Sequence, residues 1–284
     1  MLAFGRIDLV SDTPLTESGR WISAKVRYIN SEWKVREDSP RIGSRESRRA
    51  VTSFQDVEIH DARPLVDAGT VDLDTSGFTL TKNDSSVGNF RNNDEVTETY
   101  YPEMMALIRR VTGAKHAFVL HHLVRTETPT SFNDGYARFV HCDYNIKRIY
   151  QMSEDLLKKN KVRAQENWSY VWCNTWQPFD NVVENNPLAL MDWESLPFDD
   201  VIDYYYTGNG GDNLVAAPIY NPAHKLYYFP SMSTNEVIVT KQLDSRPGRS
   251  VYCPHTSFDD QTAVDGSLPR RSIETRLLAV FENG

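Results

Sequence analysis

Cysteine is scarce: the 284 residues hold three, Cys142, Cys173 and Cys253. So sparse and odd a set excludes a disulfide framework and the small secreted scaffolds that depend on one, and the three thiols read as buried small hydrophobes. Long apolar runs are missing too. No stretch approaches the roughly 18 apolar residues of a bilayer-spanning helix. The opening Met1-Leu2-Ala3-Phe4-Gly5-Arg6 is too short and too soon charged for a signal peptide, so the expected location is the cytosol. Positive charge is also in deficit, with 31 Lys and Arg against 39 Asp and Glu and a net charge of −8. Nucleic acids and acidic membrane surfaces are held by Lys and Arg neutralising phosphates, so neither fits as the main partner. Internal repeats and long linkers are absent. The chain is therefore expected to fold as one domain, residues 1–284, in which 1–110 form a strand-and-helix cover and 115–284 the core.

What the sequence does hold is concentrated in Val140-His141-Cys142-Asp143-Tyr144-Asn145, behind the β-prone run Tyr136-Ala137-Arg138-Phe139. If that run is a strand, its period of two puts His141 and Asp143 on one face and Cys142 on the other. An imidazole and a carboxylate at this spacing, completed by a distant second His, make a set that holds Fe(II) and leaves coordination positions open. His255, in the β-like run Val251-Tyr252-Cys253-Pro254-His255-Thr256-Ser257-Phe258, is the third ligand chosen. Alone, H-x-D reads equally well as a polar pair at a strand end. Its conjunction with Arg270-Arg271-Ser272 is more specific, because R-x-S offers a cation and a hydroxyl to a carboxylate, as a 2-oxo acid bound beside iron requires. Arg270, Arg271 and Arg276 compete for that carboxylate. Strand parity puts Arg270, Ser272, Glu274 and Arg276 on one side and Arg271, Ile273, Thr275 and Leu277 on the other. The second set is more apolar at its centre and should pack against helices. That leaves Arg270 beside Ser272 as the anchor, Arg276 as the fallback and Arg271 as the least suitable.

In these residues the chain resembles the Fe(II)/2-oxoglutarate-dependent oxygenases, in the branch of fungal and bacterial proteins similar to the cephem 7-methoxylation proteins and the gibberellin desaturases. The likeness runs from about Gly77 to the C-terminus. It passes through Gly77-Phe78, Tyr100-Tyr101-Pro102-Glu103, Gly113-Ala114, His141-Cys142-Asp143, Asn174-Thr175-Trp176-Gln177-Pro178, Pro187-Leu188-Ala189-Leu190, Tyr227-Tyr228-Phe229-Pro230, Asp244-Ser245 and residues 269–276. It departs at Gln177, where relatives tend to carry a basic residue, and at Arg271, where an acidic one is expected. The resemblance implies Fe(II), 2-oxoglutarate as co-substrate and O2, with His141, Asp143 and His255 as metal ligands and catalytic centre. It also implies Arg270, Ser272 and Arg276 at the co-substrate. The implied activity is oxidation of a small organic molecule by hydroxylation, desaturation or oxidative cyclisation in secondary-metabolite biosynthesis, with release of succinate and CO2. Asn174, Tyr227 and Trp176 are further pocket candidates, although core packing explains the two aromatics as readily. A homodimer is left open. Two other readings stand beside this one: a zinc hydrolase on the same three ligands, which has no use for R-x-S, and a non-oxidative jelly-roll isomerase or ligand-binding module.

The remaining pattern gives the fold class. Residues 21–28 alternate as a strand, whereas 41–49 read as a basic, Ser-rich loop facing water, or alternatively as a lid that clamps an acidic substrate. Residues 71–74 and 77–80 look like short strands. A helix capped at Asp94 carries Val96, Tyr100, Met104, Ile108 and Val111 at helical spacing until Gly113 stops it. Residues 117–120 follow as a buried strand ended by His121 and His122, both read as structural. After a surface helix over 146–165 come short strands near 169–174, 189–191, 213–216, 225–229, 236–240, 251–252 and 273–281. Many short strands behind a helical first half predict a mainly β protein with α (α+β): a double-stranded β-helix, or cupin-like jelly roll, with helices packed on one face.

Overall fold

Alternation makes the first strand, β1 (Trp21–Ile29), in which Ile22, Ala24, Val26 and Tyr28 are buried while Trp21, Ser23 and Lys25 face out. The computed structural model describes residues 20–127, 135–208 and 210–282; the opening segment 1–6 lies outside them. β1 pairs antiparallel along its length with β3 (Thr52–Asp61), which neighbours β10 (Leu226–Tyr228), β7 (Leu188–Met191) and β12 (His255–Ser257) in turn. A second five-stranded sheet has the order β4 (Phe78–Lys82), β11 (Glu236–Asp244), β6 (Trp168–Pro178), β13 (Ser272–Glu282) and β5 (His116–Arg125). A small third sheet joins β2 (Arg41–Ile42), β8 (Val201–Tyr206) and β9 (Asn213–Pro218). The large sheets face each other. Leu190 and Tyr227 of the first share a core with Phe78, Trp176 and Ile238 of the second, the Phe78 and Tyr227 rings lying 5.9 Å apart. This is the jelly roll that the strand pattern implied.

The second sheet is two-faced, and its parity decides where chemistry and packing go. On β6 and β13 the directly opposed pairs Cys173/Leu277 and Val171/Ala279, with Ile273, meet Tyr100, Met104, Leu107 and Ile108. Those residues come from a wide turn at Val96–Tyr100, which follows the short helical turn α3 (Asn93–Glu95), and from the helix α4 (Tyr101–Thr112). Asn92, not Asp94, caps this segment, accepting from the backbone N–H groups of Asp94 and Glu95. Gly113 ends α4 as expected, at φ +75°, a left-handed conformation that costs other residues a steric penalty. The opposite face is graded. Tyr170/Val280 and Trp172/Leu278 are apolar and take α5 (Ile149–Lys159) through Ile149, Leu156 and Leu157. Further along, Asn174/Arg276, Trp176/Glu274 and Pro178/Ser272 turn that face polar.

Three local expectations give way to tertiary structure. Residues 41–49 are not a solvated loop: β2 leads into the helix α1 (Arg45–Val51), which is started by a reciprocal capping box between Ser44 and Ser47 and anchored by buried Val51. Residues 71–74 form a turn, because Asp72 accepts from the following N–H groups and Asp74 ion-pairs with Lys241 at 2.5 Å and Arg246 at 2.8 Å. Residues 136–139 lie outside regular strands, and in the 251–258 run the strand is β12 at its centre, not residues 251–252. β8 had no counterpart in the sequence pattern, and β5 runs on through His121 and His122 to Arg125. A fifth helix, α2 (Arg63–Asp67), follows β3.

Leu277 has no exposed surface between β6 and α4. Leu277→Ala is expected to cost about 2–5 kcal/mol, as large-to-small core changes do, read as a lower urea midpoint at unchanged denaturant slope.

Candidate metal centre

His141 and Cys142 make only isolated bridges, yet these fix the site. His141 exchanges backbone hydrogen bonds with His255 of β12 at 3.2 and 3.0 Å, and the Cys142 N–H donates to Ala216 O of β9 at 2.8 Å. The segment thus stitches the edge of the first large sheet to the small sheet. An extended pair suffices for the period of two: Cys142 turns into the core, while His141 and Asp143 share the opposite side. His141 Nε2 lies 3.6 Å from Asp143 Oδ1 and His255 Nε2 lies 3.7 Å from Oδ2. One potential ligand atom from each of the three residues falls within 4.8 Å of the others.

The imidazoles are oriented for a metal. Nδ1 of His141 is 2.9 Å from Phe139 O, and Nδ1 of His255 is 3.0 Å from Cys253 O. Carbonyl oxygens only accept, so each Nδ1 carries the proton and each Nε2 is left with its lone pair. Burial lowers the His255 pKa, which keeps that ring neutral and able to ligate. For Asp143 burial alone would raise the carboxyl, but Arg276, His141 and His255 outweigh it and hold it well below the usual carboxylate range. Arg276 Nη2 donates to Oδ1 at 2.9 Å, and Asn174 Nδ2 donates to Oδ2. Arg276 and Asn174 are direct cross-strand partners on β13 and β6, so one rung of the second sheet grips both oxygens. Two imidazole nitrogens and a fixed carboxylate suit Fe(II) as a donor set.

Arg270 is 1% exposed, and among the described residues it has no carboxylate partner. Its Nη1 donates to Asn186 O at 2.6 Å, and the guanidinium lies 4.0 Å from the Tyr136 ring centre and 5.3 Å from that of Trp176. Its Nε and the Ser272 hydroxyl are buried without a hydrogen-bond partner among the described residues. Burial pushes the Arg270 pKa down to about 9. A buried guanidinium with an unpaired Nε and an unpaired buried hydroxyl two residues apart could receive an anion, and the carboxylate of a 2-oxo acid would meet that need. Arg271 is turned away, on the other face, to ion pairs with Glu127 and with Asp180 at 3.0 Å. Gln177 also points to the α4 side, where Tyr100 donates to it at 2.9 Å, and serves packing there. Tyr227 packs with Phe78 and Trp176 and is not among the residues lining the cavity described next.

A cavity of about 390 Å³ opens onto His141, Asp143 and Arg276. Leu120, Leu123, Phe139, Met152, Tyr204 and Val215 form its apolar wall. His121 lines it too, contrary to the structural role expected of it, and burial followed by the nearby Arg276 charge pushes its pKa down to about 4. His122 is structural as expected, its Nδ1 2.9 Å from the Tyr101 hydroxyl. Sequence reasoning missed His121 because β5 is placed opposite β13 only by the sheet, and Arg276↔His121 is a register pair that no local motif announces.

The family described as oxidoreductase/YMDC permease-like domain matches residues 26–281. A hydroxylase/desaturase, efuI, of Hormonema carpetanum is 31% identical over 86% of this chain and 89% of its own length. The Fe(II)/2-oxoglutarate-dependent dioxygenase nvfI of Aspergillus novofumigatus is 26% identical over 92% of this chain and 97% of its own. A solved structure of the iron and alpha-ketoglutarate-dependent endoperoxidase NvfI superposes with a TM-score of 0.81 at 24% identity, covering 93% of this chain and 98% of that one.

Changing any one of His141, Asp143 or His255 to Ala is expected to lower the affinity for Fe(II) by well over about tenfold while the far-ultraviolet circular dichroism is retained. Iron retained in full by one of the three variants would remove that residue from the ligand set.

Proposed function

Because the chain belongs to the oxidoreductase/YMDC permease-like domain family and is an Fe(II)/2-oxoglutarate-dependent dioxygenase among them, we propose that His141, Asp143 and His255 are its iron ligands and that Arg270 and Ser272 hold its co-substrate. It oxidises a small organic molecule in secondary metabolism, a reading in keeping with relatives named as a hydroxylase/desaturase, an Fe(II)/2-oxoglutarate-dependent dioxygenase and an alpha-ketoglutarate-dependent dioxygenase. The observation that carries the residue assignment is the buried Arg270 Nε and Ser272 Oγ, both unpaired, on the sheet face that also presents Arg276 to Asp143. The relatives lend no support to a zinc hydrolase or to a non-oxidative jelly roll. We further propose a cytosolic enzyme working on a metabolite and not on nucleic acid, in line with the net charge of −8.

Iron held by His141, Asp143 and His255 would supply the chemistry that couples 2-oxoglutarate and O2 to substrate oxidation, with succinate and CO2 as co-products. The chain's part is placement. Arg276 and Asn174 fix both oxygens of Asp143, so the carboxylate is aligned before the metal arrives and loses little orientational freedom on binding it. Phe139 O and Cys253 O fix the two imidazole tautomers. Arg270, held between Tyr136 and Trp176, presents a rigid guanidinium, and Ser272 adds a hydroxyl to the same carboxylate. Glu274 neutralises the far side of Arg276 at 2.8 Å, which stops that cation from competing with Arg270 for the co-substrate. Leu120, Leu123, Phe139 and Met152 keep the reacting space dry.

Anaerobic addition of Fe(II) and 2-oxoglutarate should produce the weak visible charge-transfer band of the chelate, and no band would reject the oxygenase reading. Arg270→Leu should raise the half-saturating 2-oxoglutarate concentration by roughly tenfold or more, the size of a charge-assisted contact, whereas Arg271→Leu should be nearly silent. A large effect of Arg276→Leu alone would move the anchor to that residue.

A further inference from the structure

The cavity beside the metal centre is cationic in a protein whose net charge is −8. Five arginines line it, Arg48, Arg125, Arg138, Arg148 and Arg276, against one acidic residue, Asp143. Three of the five are balanced by the protein: Arg276 by Asp143 and Glu274, Arg125 by Glu274 at 3.9 Å, and Arg138 by Asp259 at 2.6 Å. Arg48 and Arg148 have no acidic partner among the described residues. Nor would iron and its co-substrate change this. Fe(II), Arg125, Arg270 and Arg276 together carry more positive charge than the two carboxylates of 2-oxoglutarate, Asp143 and Glu274 carry negative, so no counter-charge is left for Arg48 or Arg148.

Arg48 is the more telling of the two. The capping box at Ser44 and Ser47 starts α1, and the Thr52 hydroxyl donates to Arg48 O at 2.7 Å, so its backbone is fixed at the helix end. Its Nε is buried without a hydrogen-bond partner among the described residues. Arg27, Arg45, Arg49 and Arg138 surround it with like charge; burial first, and these four cations next, lower its pKa. Repulsion of this kind is tolerated where an anion is to be received. The rest of the wall, Leu120, Leu123, Phe139, Met152, Tyr204 and Val215, asks for an apolar body.

Resting on the dioxygenase reading, we infer that the substrate is an apolar organic acid whose carboxylate is received by Arg48, with Arg148 as a second cation on the same cavity. Arg48 on this assignment sets substrate specificity and takes no part in co-substrate binding, which belongs to Arg270.

The test uses the full chain loaded anaerobically with Fe(II) and saturating 2-oxoglutarate, titrated calorimetrically with 1-naphthoate and with its uncharged methyl ester. The acid is expected to bind at least about tenfold more tightly than the ester, the worth of one charge-assisted contact. Arg48→Leu should remove that preference and Arg48→Lys should keep most of it. Equal binding of acid and ester by the unchanged protein overturns the inference without recourse to any variant, and so does a failure of the acid to bind. An acid preference that survives Arg48→Leu, or acid binding that weakens as 2-oxoglutarate is raised, also overturns it, the latter by placing the acid at Arg270. The visible iron chelate band, recorded in the same sample, separates the two levels: a band without acid preference sinks only the substrate assignment, whereas a missing band sinks the dioxygenase reading beneath it.

Discussion

The Asp143 carboxylate is the group around which the two halves of the molecule close. It is nearly buried, and removing such a charge from water costs several kcal/mol unless its oxygens are satisfied. One rung of the second sheet does this, Arg276 bonding Oδ1 and Asn174 bonding Oδ2, while His141 and His255 flank it from the first sheet and its connecting segment. A buried carboxylate stripped of these partners would be destabilising. The contacts that make the fold self-consistent are therefore the contacts that aim the carboxylate proposed as a metal ligand.

A second constraint follows along the same sheet face. Where β6 and β13 carry Tyr170, Trp172, Leu278 and Val280, the face buries apolar area against α5 and contributes stability. A few residues further on, the same strands carry the buried polar Asn174, Glu274 and Ser272 and the partly buried Arg276, which cost desolvation. Arg276 recovers that cost within the protein through Asp143 and Glu274. Arg270 has no acidic partner among the described residues, and that difference would set a cation kept for a ligand, as proposed for Arg270, apart from one kept for the fold. The same criterion separates Arg48 from Arg138 at the cavity, since Arg138 has Asp259 whereas Arg48 has no acidic partner among the described residues and four arginines beside it.

By itself the sequence determined the faces. A period of two in residues 270–277 sorts Arg270, Ser272, Glu274 and Arg276 from Ile273 and Leu277, and the folded chain keeps that sorting, with Ile273 and Leu277 against α4. H-x-D and the helix stop at Gly113 were legible for the same reason: each depends on local geometry that a side chain or a backbone angle dictates. What lies opposite a face was decided only in three dimensions. Arg276 meets Asp143 across 133 residues of sequence, His121 enters the cavity because β5 pairs with β13, and residues 41–49 become a strand and a helix because β8 and a buried Val51 hold them. Alternation tells each strand which side to turn inward. It carries no information about which other strand will be there, because sheet order is set by long-range burial and backbone pairing that no short segment contains.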